Sequence, residues 1–141
     1  MANVGFNKGK YRILEQYING GSAKTLKVAF MDPAYSVDID AHHFYSDISA
    51  SIASGSTDQT LASIALSEND TDNRAELDAA DLSVVSETIT GGTDQLIIYE
   101  DTGTPATSPL LFKIDIVEGT LIPIDGTLAI TWSSNGIFAI A

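Results

Sequence analysis

The feature that most constrains this fold is the spacing of apolar residues from Leu96 to the C-terminus. Apolar side chains there alternate with polar ones over runs of five to eight residues, and turn residues separate the runs. Leu110, Phe112, Ile114 and Ile116 fall on one side of a period-2 pattern, with Lys113 and Asp115 on the other. Successive side chains of a strand point to opposite faces, so this pattern describes a strand with one face buried. A helix would need apolar positions three and four apart.

The same reading extends upstream. Leu26, Val28 and Phe30 alternate within 24–31, and Asp32-Pro33 stops that strand. Further strands are expected at 60–66, 73–78, 82–89 and 94–100, with turns at Asn69–Asp72, Asp78–Asp81 and Gly91-Gly92. Asp125-Gly126 is expected to join a strand at Leu121–Ile124 to one carrying Leu128, Ile130 and Trp132. Asn135-Gly136 is expected to join that strand to the last. Pro123 marks its segment as an edge strand. Residues 33–59 read as a long surface excursion with a short strand or helical turn near His43–Ile48. One helix is expected, from Asn7 as N-cap to Ile18, with Tyr11, Leu14 and Ile18 at helical spacing and Gly20-Gly21 as its stop. The expected fold class is all-β: a single antiparallel β-sandwich or jelly-roll-like domain over 1–141, with a short N-terminal helix inside a basic segment, 1–23.

Charge adds a second constraint. The chain carries −12 overall. Lys8, Lys10, Arg12, Lys24 and Lys27 are five of its seven basic residues, and only Glu15 opposes them in the first 27 positions, which carry +4. The remaining two basic residues face eighteen acids, a charge of −16. Such an acidic body repels nucleic acid. Lys8 and Lys10 in a first helical turn oppose the helix dipole. Exposed lysines tolerate that position, and the alternative is that they face an acidic partner surface.

The inventory for chemistry is thin. Without cysteine there is no disulfide, thiolate nucleophile or cysteine zinc site. No apolar run is long enough to span a bilayer, and the first eight residues do not read as a secretory signal, so a cytosolic origin is expected. Asp101-Thr102-Gly103 is the tripeptide of aspartic proteases, whose chemistry needs two aspartates sharing a proton. Glu100 and Pro105 replace the apolar flanks of such a turn, and Asp-Thr-Gly is also ordinary turn chemistry. His42-His43, with Asp38, Asp40 and Asp47 nearby, is the one histidine cluster. Adjacent strand residues face opposite ways and make poor co-ligands. Glu68–Asp72 resembles the start of a calcium loop, but Arg74 and Ala75 break the pattern, leaving a solvated acidic turn or a weak, irregular calcium site. Asn69-Asp70-Thr71 is formally a glycosylation sequon, without consequence for a chain lacking a secretory signal. No nucleophile elbow or phosphate-binding loop is present. No catalytic activity, cofactor or metal is expected.

The order of segments carries a resemblance. It runs from Phe6-Asn7-Lys8-Gly9-Lys10-Tyr11-Arg12-Ile13-Leu14 through Lys24–Met31, Asp38–Asp47 and Asn73–Asp81. It continues with Ile98–Gly103, Ser108-Pro109-Leu110, Ile130-Thr131-Trp132 and Asn135-Gly136-Ile137. This pattern resembles a group of small virion structural proteins of tailed bacteriophages. The resemblance implies a capsid decoration (cement) or minor capsid protein on the outer surface of the head. Its partner would be the major capsid protein, it would act as a homo-oligomer, commonly a trimer, and it would contact neither nucleic acid nor membrane. On that expectation the docking residues are Phe6, Lys8, Lys10, Tyr11 and Arg12. The alternative is a tail- or fibre-associated virion protein that binds a host glycan or another virion protein, with Tyr35, Phe44 and Tyr45 as its contacts.

Overall fold

The computed structural model describes residues 6–19 and 24–140, which form an all-β protein with one long helix at the N-terminal end. Among the described residues there are nine strands, all paired antiparallel. They are arranged in two compact units. The expected helix stop at Gly20-Gly21 lies outside the described residues.

The first unit holds α1 (Asn7–Asn19), β3 (Ala65–Asn69), β4 (Arg74–Asp78) and β9 (Phe138–Ile140). The strands form one sheet in the order β3-β4-β9. β3 and β4 are a hairpin around the expected turn, with Asn69 opposite Arg74 and Asn73 in the left-handed region at φ 55°. Ala75 and Leu77 are buried on one face of β4. α1 packs on this hairpin and buries Leu14 and Ile18, two of the three positions that its spacing singles out, while Tyr11 is half-buried. The Trp132 indole N–H donates to the Ala80 carbonyl at 3.0 Å, and its backbone N–H to Asp81 at 2.9 Å, tying the chain down before β9.

The second unit holds a four-stranded sheet in the order β2-β1-β6-β7, built from β1 (Leu26–Met31), β2 (Gln59–Thr60), β6 (Gln95–Glu100) and β7 (Leu110–Asp115). It also holds β5 (Leu82–Glu87) paired with β8 (Gly126–Ile130), and the short helix α2 (Tyr45–Ile48). The unit is sandwich-like because both faces of the β1–β6 pair are buried. Leu26, Val28, Phe30, Leu96 and Ile98 occupy one face. Ala29, Met31, Ile97 and Tyr99 occupy the other, in a cluster with Tyr35 and Ile48. Full burial of each large aliphatic or aromatic side chain contributes about 1.5–3 kcal/mol, so this pair is the strongest part of the unit.

Three expectations are corrected. The run 60–66 is not one strand: it is divided between β2 and β3, with Leu61 to Ile64 outside both. Leu121–Ile124 is not a strand, and only Leu121 forms an isolated bridge, to Thr93. Asp125-Gly126 and Asn135-Gly136 do not join hairpin partners, because β8 pairs with β5 and β9 pairs with β4. Both dipeptides do turn the chain, with Asp125 at φ 47° and Gly136 at φ 83°. The turn chemistry was legible locally, but which strand follows on which edge is decided by long-range packing.

Candidate partner-binding surfaces

The basic helix α1 meets an acidic hairpin of its own unit. The Asn7 amide donates to Asp70 at 2.9 Å, the Lys8 ammonium pairs with Glu68, and Lys10 donates to the Asn73 carbonyl at 2.5 Å. Lys8 also lies over the Tyr11 ring, 4.8 Å from its centroid. The hydrogen bond to Glu68 holds the Lys8 ammonium above the ordinary lysine range. Arg12 pairs with Glu15 one turn on. Of the lysines that oppose the helix dipole, Lys8 therefore faces an acid of the β3–β4 hairpin and Lys10 a backbone carbonyl of its turn, which offsets the dipole cost.

Of the five residues expected to dock on a partner, Lys8, Lys10, Tyr11 and Arg12 thus make contacts inside the unit. Phe6 does not share that role: it is 84% exposed. Ile13 is 64% exposed and Tyr17 is also exposed. Ile13 and Tyr17, at i and i+4, share a stripe of the helix about a quarter turn around from Leu14 and Ile18, and Phe6 directly precedes its first turn. Ile13 was missed in the sequence because Tyr11, Leu14 and Ile18 already account for a buried face. The signal was a second apolar stripe at the same period.

The aromatic loop of the second unit is more internal than its sequence implies. Tyr35 is buried, Tyr45 packs against the same cluster, and Phe44 alone of the three is exposed. Tyr99 donates to Asp58 at 2.7 Å, and Tyr45 and Tyr99 lie ring to ring at 4.6 Å. Burial first, and then Asp58, push both phenols far above the ordinary tyrosine range, and burial raises Tyr35 as well.

The histidines are occupied in ordering this loop. His42 stacks on Tyr35 with ring centroids 5.6 Å apart. Its Nδ1 accepts from the Asp38 backbone N–H at 3.2 Å and lies 3.0 Å from the Tyr35 hydroxyl. The backbone N–H can only donate, so Nδ1 is the acceptor nitrogen and the hydroxyl donates to it as well. His43 Nε2 donates to the Asp40 carbonyl at 2.9 Å. Asp47 accepts from the backbone N–H groups of Phe44 at 2.8 Å and His43 at 3.0 Å, which hold its carboxyl below the usual range. Among the described residues, no group of three or more His, Asp or Glu side chains is placed to hold a metal ion.

The other two sequence motifs are likewise tied up locally. In the acidic turn, Asn69 bonds to Asp72 and Glu76, and Arg74 pairs with both acids, at 3.1 Å and 2.6 Å. Asp101 pairs with Lys27 at 2.6 Å and accepts from the Gly103 N–H at 2.9 Å. The Lys27 hydrogen bond, and after it the Gly103 N–H, lower the Asp101 carboxyl below its ordinary range. An aspartic protease instead needs a carboxyl that shares a proton with a second aspartate.

No family model matches the chain, and no curated protein does.

Proposed function

We propose that this chain is a virion structural protein of a tailed bacteriophage, which binds the outer surface of the assembled head and stabilises the shell. The observation that carries the reading is the composite surface of α1. Phe6, Ile13 and Tyr17 present apolar area to solvent, and the Lys24 ammonium lies over the Tyr17 ring, 5.9 Å from its centroid, on a chain of charge −12. Apolar anchors with a basic rim suit a fixed site on a large acidic or mixed surface. Binding across neighbouring shell subunits stabilises the assembled form by mass action, with no bond made or broken. The partner in this proposal is the major capsid protein, and the chain acts there as a homo-oligomer.

The test is co-sedimentation with purified heads of the phage that encodes the chain. Phe6→Asp together with Ile13→Asp leaves Leu14 and Ile18 in place and should abolish binding, with the circular dichroism spectrum unchanged. Full binding by that variant would remove α1 as the docking element. Hundreds of copies per virion support the head assignment. A few to some dozens would instead favour the tail- or fibre-associated reading, in which the exposed Phe44 is the first contact to substitute.

A further inference from the structure

β7 is the outer strand of its sheet, and among the described residues most of its outer edge is unused. Toward β6, the Ile116 N–H donates to the Asp94 carbonyl at 2.8 Å, and the register sets Ile114 against Leu96 and Phe112 against Ile98. Backbone groups of a strand alternate in direction, so those of Lys113 and Asp115 point away from β6. The start of the strand is covered: Leu110 donates to the His43 carbonyl at 2.9 Å, and Tyr45 to the Ser108 carbonyl at 2.8 Å. Beyond it, among the described residues, β7 pairs with no strand but β6. Lys113 and Asp115 are exposed, and Val117 in the turn that follows is 96% exposed.

An open strand edge is a template for another chain unless it is blocked. This one is charge-complementary to itself in a single register. Antiparallel pairing of two copies about Ile114 sets each Lys113 opposite the other copy's Asp115. Those are the residues whose N–H and C=O groups point outward, so the charge pairs coincide with the hydrogen-bonded pairs. Leu111 is brought toward the other copy's Val117, and Ile114 meets Ile114. Moving the two-fold axis to residue 113 places lysine against lysine, and moving it to 115 places aspartate against aspartate; both are repulsive. Within one chain Lys113 already pairs with Asp115, so the contact closes a ring of alternating charges.

We infer that two copies of this chain associate through β7, antiparallel and two-fold about Ile114, joining their four-stranded sheets edge to edge. The contact is isologous. It is independent of shell binding and differs from the cyclic trimer that the phage resemblance implies.

Light scattering coupled to size exclusion, over a concentration series, gives the first test. The wild type should approach twice the monomer mass as concentration rises. Lys113→Asp, which puts aspartate opposite aspartate, should stay monomeric. Lys113→Asp combined with Asp115→Lys restores the alternation and should recover the dimer. A second measurement does not depend on charge. The chain has no cysteine, and non-hydrogen-bonded antiparallel pairs hold their Cα atoms about 4.5 Å apart, within disulfide range. Ile114→Cys should therefore cross-link to a covalent dimer under mild oxidation, whereas Ser134→Cys should not. A wild type that is monomeric at its highest soluble concentration would overturn the inference. So would an oligomer whose mass Lys113→Asp leaves unchanged, or an Ile114→Cys chain that cross-links no faster than the Ser134→Cys control.

Discussion

Gly136 shows how much a single position constrains the first unit. Its φ is +83°, and a Cβ built there would lie 2.7 Å from the Leu77 carbonyl oxygen. That carbonyl also accepts from the Ile137 N–H at 2.8 Å, so the backbone cannot retreat without losing a bond that seats β9. Gly136→Ala should destabilise the fold by more than about 1 kcal/mol, read as a fall in the urea midpoint at constant m-value. Asp101 carries a different kind of residue-scale prediction. Its carboxyl is lowered by Lys27 and then by the Gly103 N–H. A depressed carboxyl stabilises the fold above its ordinary value, about 3.9, and that contribution disappears as pH falls through the lower folded-state value. Asp101→Asn should therefore melt earlier than the wild type at neutral pH, and the gap should close as pH falls through the lowered folded-state value. A gap that stays constant down to low pH would assign the loss to something other than the Lys27 pair.

At the scale of elements, α1 is held by apolar contact more than by its ion pairs. Leu14 and Ile18 are buried against the β3–β4 hairpin, whereas the Lys8–Glu68 and Arg12–Glu15 pairs are exposed on the basic side and worth little each. Ile18→Ala should destabilise the first unit by about 2–5 kcal/mol, while Lys8→Ala should change stability far less; chemical denaturation of both variants separates the two. The helix was legible because its period is local, and so were β1, β4, β5, β6 and β7, whose apolar runs or alternation fall between turn residues within a short window. What was not legible was pairing. Leu121–Ile124 has the apolar content of a strand but makes one isolated bridge, from Leu121 to Thr93, and one further backbone bond, from the Ile89 N–H to the Pro123 carbonyl, and nothing within those four residues records that. The basic character of the helix was visible, yet its acidic counterpart, Glu68 and Asp70, lies some sixty residues away and is brought to it by folding. The second unit hides its tyrosines in the same way. Tyr45 reads as a surface contact in the sequence, but it lies against Tyr99, and burial and then Asp58 keep both phenols neutral well beyond the usual range. Groups with raised folded-state values stabilise the fold below the ordinary tyrosine value, and that stability is lost as pH climbs through the folded one. A spectrophotometric alkaline titration should show a late-ionising component that coincides with unfolding and shrinks in Tyr99→Phe.

Across the whole molecule, the excess of nineteen acids over seven basic residues sets how the protein responds to salt. Most of the basic residues are already committed. Lys8, Arg12, Lys27, Arg74 and Lys113 each pair with an acid. Each pair is near the surface and worth at most about 1 kcal/mol, and salt weakens it. The larger set of acids outside these pairs repels over longer distances, and salt weakens that repulsion too. Raising ionic strength from about 0.01 to 0.15 M shortens the screening length from about 30 Å to about 8 Å. That change removes interactions between well-separated charges while leaving contacts of a few ångströms largely intact. The long-range part is almost wholly acid against acid, so its loss should win, and the melting temperature should rise with sodium chloride over this range. The same screening should favour association at β7, where the opposite charges would be in contact but the bodies that carry them repel. Differential scanning calorimetry and light scattering across one salt series read both effects. A melting temperature that falls with salt would mean that the short ion pairs, and not the acidic excess, dominate the electrostatics of this fold.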